Sequence, residues 1–246
     1  MPGGGMRCGG RGRRAMDVRF RCDPALAEAL PRPRLARQAL PEWLQAMPMT
    51  AQSDMHDGPV RTVKQCPPFV DAMRAGFVMP LPCDVHYADG VFTWDWRLPQ
   101  PATPGHPQAP VSFHAAAQVQ GGPFGVGNLI KFIGFWTIEL PPGWSLLATH
   151  PVNRDDLPFR TLTGLVDSDR FHQVGLLFPA RWLDPGVACS LPAGTPVAQC
   201  IPVRREALEL QFSTFGAEEV AAFTRVGDAV LATPGVYRDQ YRDRAR

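Results

Sequence analysis

Twenty-seven prolines are spread along this 246-residue chain, and they set the scale of anything it can fold into. Proline lacks the amide donor that a helix interior or a central strand needs, so it collects at corners, first turns and sheet edges. Prolines this frequent leave room for short strands joined by tight corners, with helices as decoration. The expected fold class is mainly β.

The clearest strand pattern runs from Lys131 to Glu206, where apolar segments are separated by Pro/Gly turns. It predicts strands at about 129–140, 144–149, 161–166, 173–178 and 197–203, with residues 206–215 as a candidate for one more. Upstream, a strand is expected at Val60–Lys64, then a helix from about Pro68 with Phe69, Met73 and Phe77 on one face and Gly76 as its C-cap. Phe92, Trp94 and Trp96 alternate as in a half-buried strand, and residues 111–118 return to strand after a proline-rich loop. Residues 17–50 mix short helical pieces with prolines: Asp23 precedes Pro24 as a cap, Leu26 and Leu30 lie one turn apart, and Trp43, Leu44 and Met47 follow Pro41. Val220, Phe223 and Val230 recur at near-helical spacing after Gly216, and Tyr237 and Tyr241 suggest a last turn. The expected organisation is a disordered Gly/Arg tail over 1–16, an N-terminal arm over 17–59, a β-rich core over 60–215 and a helical tail over 216–246. Met16 is an alternative start to Met1.

Charge narrows the partners. The net charge is +2, from 25 basic and 23 acidic residues, and the arginines concentrate at the two ends. The near-neutral body predicts no nucleic-acid partner. Pro, Gly or a charge interrupts every apolar run before the roughly 20 residues of a membrane span, so no membrane partner is expected. MPGGGMRCGGRGRR has no apolar stretch behind its charges and does not read as a secretory signal. The six cysteines are scattered without a C-x-x-C pair, which predicts reduced thiols and a cytoplasmic protein.

Three groups of side chains carry candidate chemistry. His150, Asn153 and Arg154 follow a strand at the Pro151 corner: Arg154 is suited to an anionic group and His150 to acid–base work. The same residues equally suit a corner in which Arg154 pairs with Asp155 or Asp156. Asp167 and Asp169 flank Ser168, a pattern shared by divalent-metal sites, acid–base pairs and ordinary turns. His114, His150 and His172, on or beside expected strands, would with Asp167 make a mononuclear metal site on a β-barrel. The tryptophans read as core, and GGPFGVGN lacks the Gly-Lys-Ser/Thr ending of a phosphate loop.

Three fragments resemble motifs of the dUTPase and dCTP deaminase superfamily: IELPPGWSLL, GLVDSDRF at Gly164 to Phe171, and GTPVAQCIPV at Gly194 to Val203. The resemblance implies a dUTPase-like β core of the β-clip type, Asp167 in the place of the water-orienting carboxylate, Gln199 as a polar pocket residue, and a homo-oligomer, a trimer if the likeness extends that far. The family's Arg-Ser-Ser phosphate segment reads THPVNR here, and its stacking tyrosine is replaced by Phe171, displaced by one position. Longer stretches, from LPEWLQAMP to GTPVAQCIPVRREALEL, resemble a family of uncharacterised bacterial and phage proteins and bring no activity.

The leading expectation is a binding protein or hydrolase for a small anionic, nucleotide-like molecule. In it Arg154 and Asn153 hold the anion, Asp167 and His150 act on water, and Asp169 and Gln199 complete the pocket. The alternatives are a metal-dependent oxygenase or isomerase using His114, His150 and His172, with a divalent metal as cofactor, and a non-catalytic structural or assembly protein. The leading expectation requires that the Gly164 to Phe171 corner and the Gly194 to Val203 strand form neighbouring walls of one cavity.

Overall fold

A computed structural model describes residues 15–123 and 129–243. The expected disordered tail therefore falls outside the described residues apart from its last two positions, as does most of the glycine-rich turn. The architecture is mainly β, built from short antiparallel strands. A five-stranded sheet runs in the order Gly164–Val166, Trp144–Thr149, Pro196–Arg204, Phe77–Pro80 and Arg34–Leu35. A four-stranded sheet follows the order Phe159–Thr161, Leu177–Trp182, Leu129–Ile133 and Val111–Phe113, and a third sheet joins Cys189–Leu191, Val85–Ala88 and Val91–Trp94.

All three sheets turn one face to a shared core. Met79, Leu146 and Val197 come from the first, Phe132, Phe159 and Phe178 from the second, and Val85, Tyr87 and Leu191 from the third. Each fully buried large side chain stabilises by about 1.5–3 kcal/mol, so this cluster holds the sheets against one another. Trp182 meets the rings of both Tyr87 and Phe92 at 4.9 Å, a contact between the second and third sheets.

The helix runs Pro67–Arg74 with proline in its first turn, and Gly76 follows at φ 67°, the left-handed conformation of a helix stop. Phe77 belongs to the next strand, because the chain reverses at Gly76. The N-terminal arm is stitched into the body: Arg19–Arg21 pairs with Thr137–Glu139, and Arg34–Leu35 extends the five-stranded sheet. Asp23 caps its turn by accepting the Ala25 N–H at 2.9 Å, and Leu26 and Leu30 are buried beneath it.

Several expected strands are cut or moved. The run at 129–140 breaks into Leu129–Ile133 and Thr137–Glu139, because at Gly134 the backbone crosses residues 175–176 too closely for a β-carbon on either glycine. The single strand at 161–166 is two, Phe159–Thr161 and Gly164–Val166, in different sheets. The strand placed at 173–178 lies at Leu177–Trp182, while Val85–Ala88 and Cys189–Leu191 were not expected. Residues 206–215 form no strand, and the tail helix spans Ala217–Ala232. Among the described residues no helix is long and apolar enough to cross a membrane.

Candidate functional site

The two segments that the sequence reading required to be neighbours do share a sheet, but they do not face each other across a cavity. Gly164–Val166 and Pro196–Arg204 lie on either side of Trp144–Thr149. Asp167 follows Val166, the partner of Leu146, towards the Trp144 end of that strand, whereas Gln199 is opposite Thr149 at the other. Ser145, which touches Asp167, and Thr149 are separated by four residues of strand, roughly 13 Å.

The Asp167–Ser168–Asp169 turn closes around Arg205. The guanidinium donates to Asp167 Oδ1 at 3.1 Å and to Asp169 Oδ1 at 2.9 Å, with a second, shorter contact from Nη2 to Asp169 Oδ2. The Ser145 hydroxyl donates to Asp167 Oδ1 at 2.6 Å, and the Gly143 N–H to Asp169 Oδ2 at 2.9 Å. Asp169 keeps only 6% of its side chain exposed. The Ser145 hydroxyl, with Arg205 beside it, holds the Asp167 carboxyl below its ordinary range, and Arg205 lowers Asp169 further. A carboxylate stabilised in this way is a weak base. The cluster therefore does the work of a clasp on the sheet's end.

At the Pro151 corner, His150 accepts the Thr161 N–H at Nδ1 (3.2 Å), so Nε2 carries the proton and donates to the Arg154 carbonyl at 3.0 Å. Arg154 forms a forked pair with Asp156, at 2.8 Å from Nε and 2.9 Å from Nη2. Asn153 adopts φ 57°, the left-handed residue of the turn. Gln199 is 2% exposed: its Nε2 donates to the carbonyls of Ala72 and Ala75 at 2.9 and 2.7 Å, and its Oε1 accepts the Val152 N–H at 2.9 Å. The crevice lined by Arg154 and Gln199 has a volume of about 10 Å³, space for a single water and not for a nucleotide. His150 and Asn153 border a shallower depression of about 410 Å³ with Arg160, which is paired with Asp155 at 3.1 Å.

Arg154, Asp167 and Gln199 thus belong to two separate structural clusters. Nor do the three histidines meet as ligands: His114 bonds Gln118 at 3.4 Å, His150 is committed to backbone, and His172 lines a different cleft. Among the described residues no group of three or more His, Cys, Asp or Glu is placed to hold a metal.

The His150 bonds predict a pH dependence. Burial pushes its pKa below the ordinary 6.5, so the native state holds it neutral while the unfolded chain binds a proton near 6.5. Its contribution to stability is complete above that value and is lost as pH falls from it towards the folded pKa. The depressed carboxylates Asp167 and Asp169 act in the same direction, but only below their ordinary 3.8. Urea midpoints should therefore decline as pH falls below the ordinary histidine value of 6.5, and His150→Gln should flatten that decline.

Two features lie outside these groups of residues. One is a cleft of about 760 Å³ where residues 21–23, 103–107, 133–137 and 172–177 come together. The other is the stretch after Arg205. Residues 206–215 are exposed throughout, and Leu208, Leu210 and Phe212 retain 89%, 77% and 91% of their surface. The helix Ala217–Ala232 buries no residue, and its Phe223 meets only Phe215, at 5.9 Å, among ring contacts of the described residues. The chain then returns to the body, where Val236 is buried and Arg242 grips Asp71 at 2.8 and 2.6 Å.

No family model matches the chain, so the resemblance to uncharacterised bacterial and phage proteins has none behind it. The search of curated proteins also returns no match. Among solved structures, the chain is similar to a mutant dUTPase from phage phi11 of S. aureus, at 12% identity and a TM-score of 0.36, over 80% of this chain and 96% of that one. The likeness is loose, and it assigns neither a substrate nor a site.

Proposed function

We propose that this chain is a non-catalytic subunit of a homo-oligomeric assembly, joined through the arm that follows Arg205. The exposed alternation of Leu208, Leu210 and Phe212 carries the reading. Every second residue is apolar, with Glu209 and Gln211 between them, the pattern of a strand that buries one face. Phe215, Val220, Phe223, Val230 and Leu231 add further large apolar side chains, each more than half exposed, to the surface that a stable interface of ~800 Å² per partner would cover.

A second copy of the chain suits this arm on two grounds. The arm supplies a strand-like segment in search of a sheet edge, and the same molecule leaves one open at Gly164–Val166, where Leu165 is 64% exposed. Anchoring at Arg205 and Arg242 fixes both ends of the arm to its own body, so the part between them is held out as a tethered loop. Reciprocal docking closes under rotational symmetry. His150 and Asp167, the residues expected to be catalytic, fit the same picture, since one holds a corner and the other a sheet end.

Light scattering tests this directly. The unaltered protein is expected at a multiple of 27.0 kDa, and the triple variant Leu208→Glu, Leu210→Glu, Phe212→Glu at the single-chain mass with an unchanged circular dichroism spectrum. A single-chain mass for the unaltered protein at micromolar concentration would sink the proposal.

A further inference from the structure

We infer that the 760 Å³ cleft is a binding site for a small uncharged aromatic molecule with one hydrogen-bonding edge, of the phenol or heteroaromatic class. Its volume lies in the range of small-molecule pockets, roughly 300–1,000 Å³. The walls are apolar: Ile133, Phe135 and Leu177 line it, and Phe135 lies 5.5 Å from both Trp96 and His106. Aromatic clusters of this kind take a further ring in offset or edge-to-face contact. The wall is also rigid, because the Gly134 N–H bonds the Leu176 carbonyl at 2.8 Å and neither Gly134 nor Gly175 has room for a side chain.

The polar groups of the cleft decide the ligand's charge. Asp23 accepts three backbone N–H groups, from Ala25, Ala102 and Thr103, at 2.9, 3.0 and 2.7 Å. Arg21 is paired with Glu139 at 2.6 Å. Arg21 already holds its counter-charge in Glu139, and three N–H groups solvate the Asp23 carboxylate, so an anion gains no free guanidinium there. Two other side-chain atoms are different: Thr137 Oγ1 and His172 Nδ1 are buried, and neither has a hydrogen-bond partner among the described residues. Both residues line the cleft. A hydroxyl or ring N–H on the ligand edge, reached by rotation of these side chains, supplies what they lack without bringing a charge.

Calorimetric titration at neutral pH with 2-naphthol, naphthalene and 2-naphthoate separates the possibilities. These three probes share one ring system and differ at its edge. Saturable 1:1 binding of 2-naphthol is expected, with naphthalene and 2-naphthoate each about tenfold weaker, the equivalent of one hydrogen bond. Thr137→Val, which keeps the side chain's shape, should reduce the preference for naphthol over naphthalene several-fold, and His172→Ala serves the same purpose if the first variant does not fold. Equal affinities for naphthol and naphthalene, tightest binding of the naphthoate, or no saturable binding of any probe to the unaltered protein would each overturn the inference.

Discussion

Gly76→Ala is expected to destroy the native structure, with a loss of about 5 kcal/mol or more, read as absent folded protein or a collapsed thermal transition. Two effects act together. The residue holds φ 67°, which strains alanine by about 1–2 kcal/mol. A β-carbon built there falls 2.0 Å from the Cys200 carbonyl oxygen, backbone of the strand Pro196–Arg204. That strand is paired on both sides, with Trp144–Thr149 and Phe77–Pro80, so it cannot retreat without opening the sheet. Moving Gly76 away would instead break the bond from the Ala36 N–H to its carbonyl at 3.0 Å, one of the contacts that attach the N-terminal arm. Gly143→Ala separates the two effects: Gly143 has φ 86° but nothing within 4 Å of the added carbon. It should lose only the conformational share, about 1 kcal/mol, and stay folded.

What could be read from the chain beforehand follows the range of each interaction. The helix at Pro67–Arg74, its stop at Gly76 and the cap at Asp23 depend on residues within a turn of one another, and all were legible. The strands Trp144–Thr149 and Pro196–Arg204 carried uninterrupted patterns and were placed to within a residue. The split at Leu162–Thr163 was hidden, because apolar periodicity cannot say that one run serves two sheets. The roles of Asp167 and Asp169 turned on Arg205, 36 residues beyond Asp169, and a carboxylate turn reads the same with or without such a partner. The 760 Å³ cleft is assembled from four distant segments, so no local pattern could announce it. The alternation of Leu208, Leu210 and Phe212 was visible as a strand, but nothing in it distinguished a strand within this sheet from one left exposed for another molecule.

Gln199→Leu is expected to lower stability by about 3–4 kcal/mol, close to 10 °C in Tm for a chain of this size. The side chain is a three-way clip. It ties the carbonyls of Ala72 and Ala75, at the end of the helix Pro67–Arg74, to the N–H of Val152 at the Pro151 corner. Leucine preserves the volume and removes all three bonds. The Ala72 carbonyl still receives the Ala75 N–H at 3.3 Å, so the loss falls mainly on the Ala75 carbonyl and the Val152 N–H, each worth about 1–3 kcal/mol when left buried and unpaired. Gln199→Glu keeps the acceptor for Val152 but sets a carboxylate against two carbonyl oxygens, so it must bind a proton to fold. Its folded pKa is raised, and the variant should be most stable in acid and weaken as pH rises through that value. A pocket residue poised for a ligand would behave otherwise: either substitution would reduce binding and leave the denaturation midpoint in place. Hydrogen exchange at the Val152 amide gives the direct readout, because this N–H should lose its protection in Gln199→Leu while amides of Leu177–Trp182, in the neighbouring sheet, keep theirs.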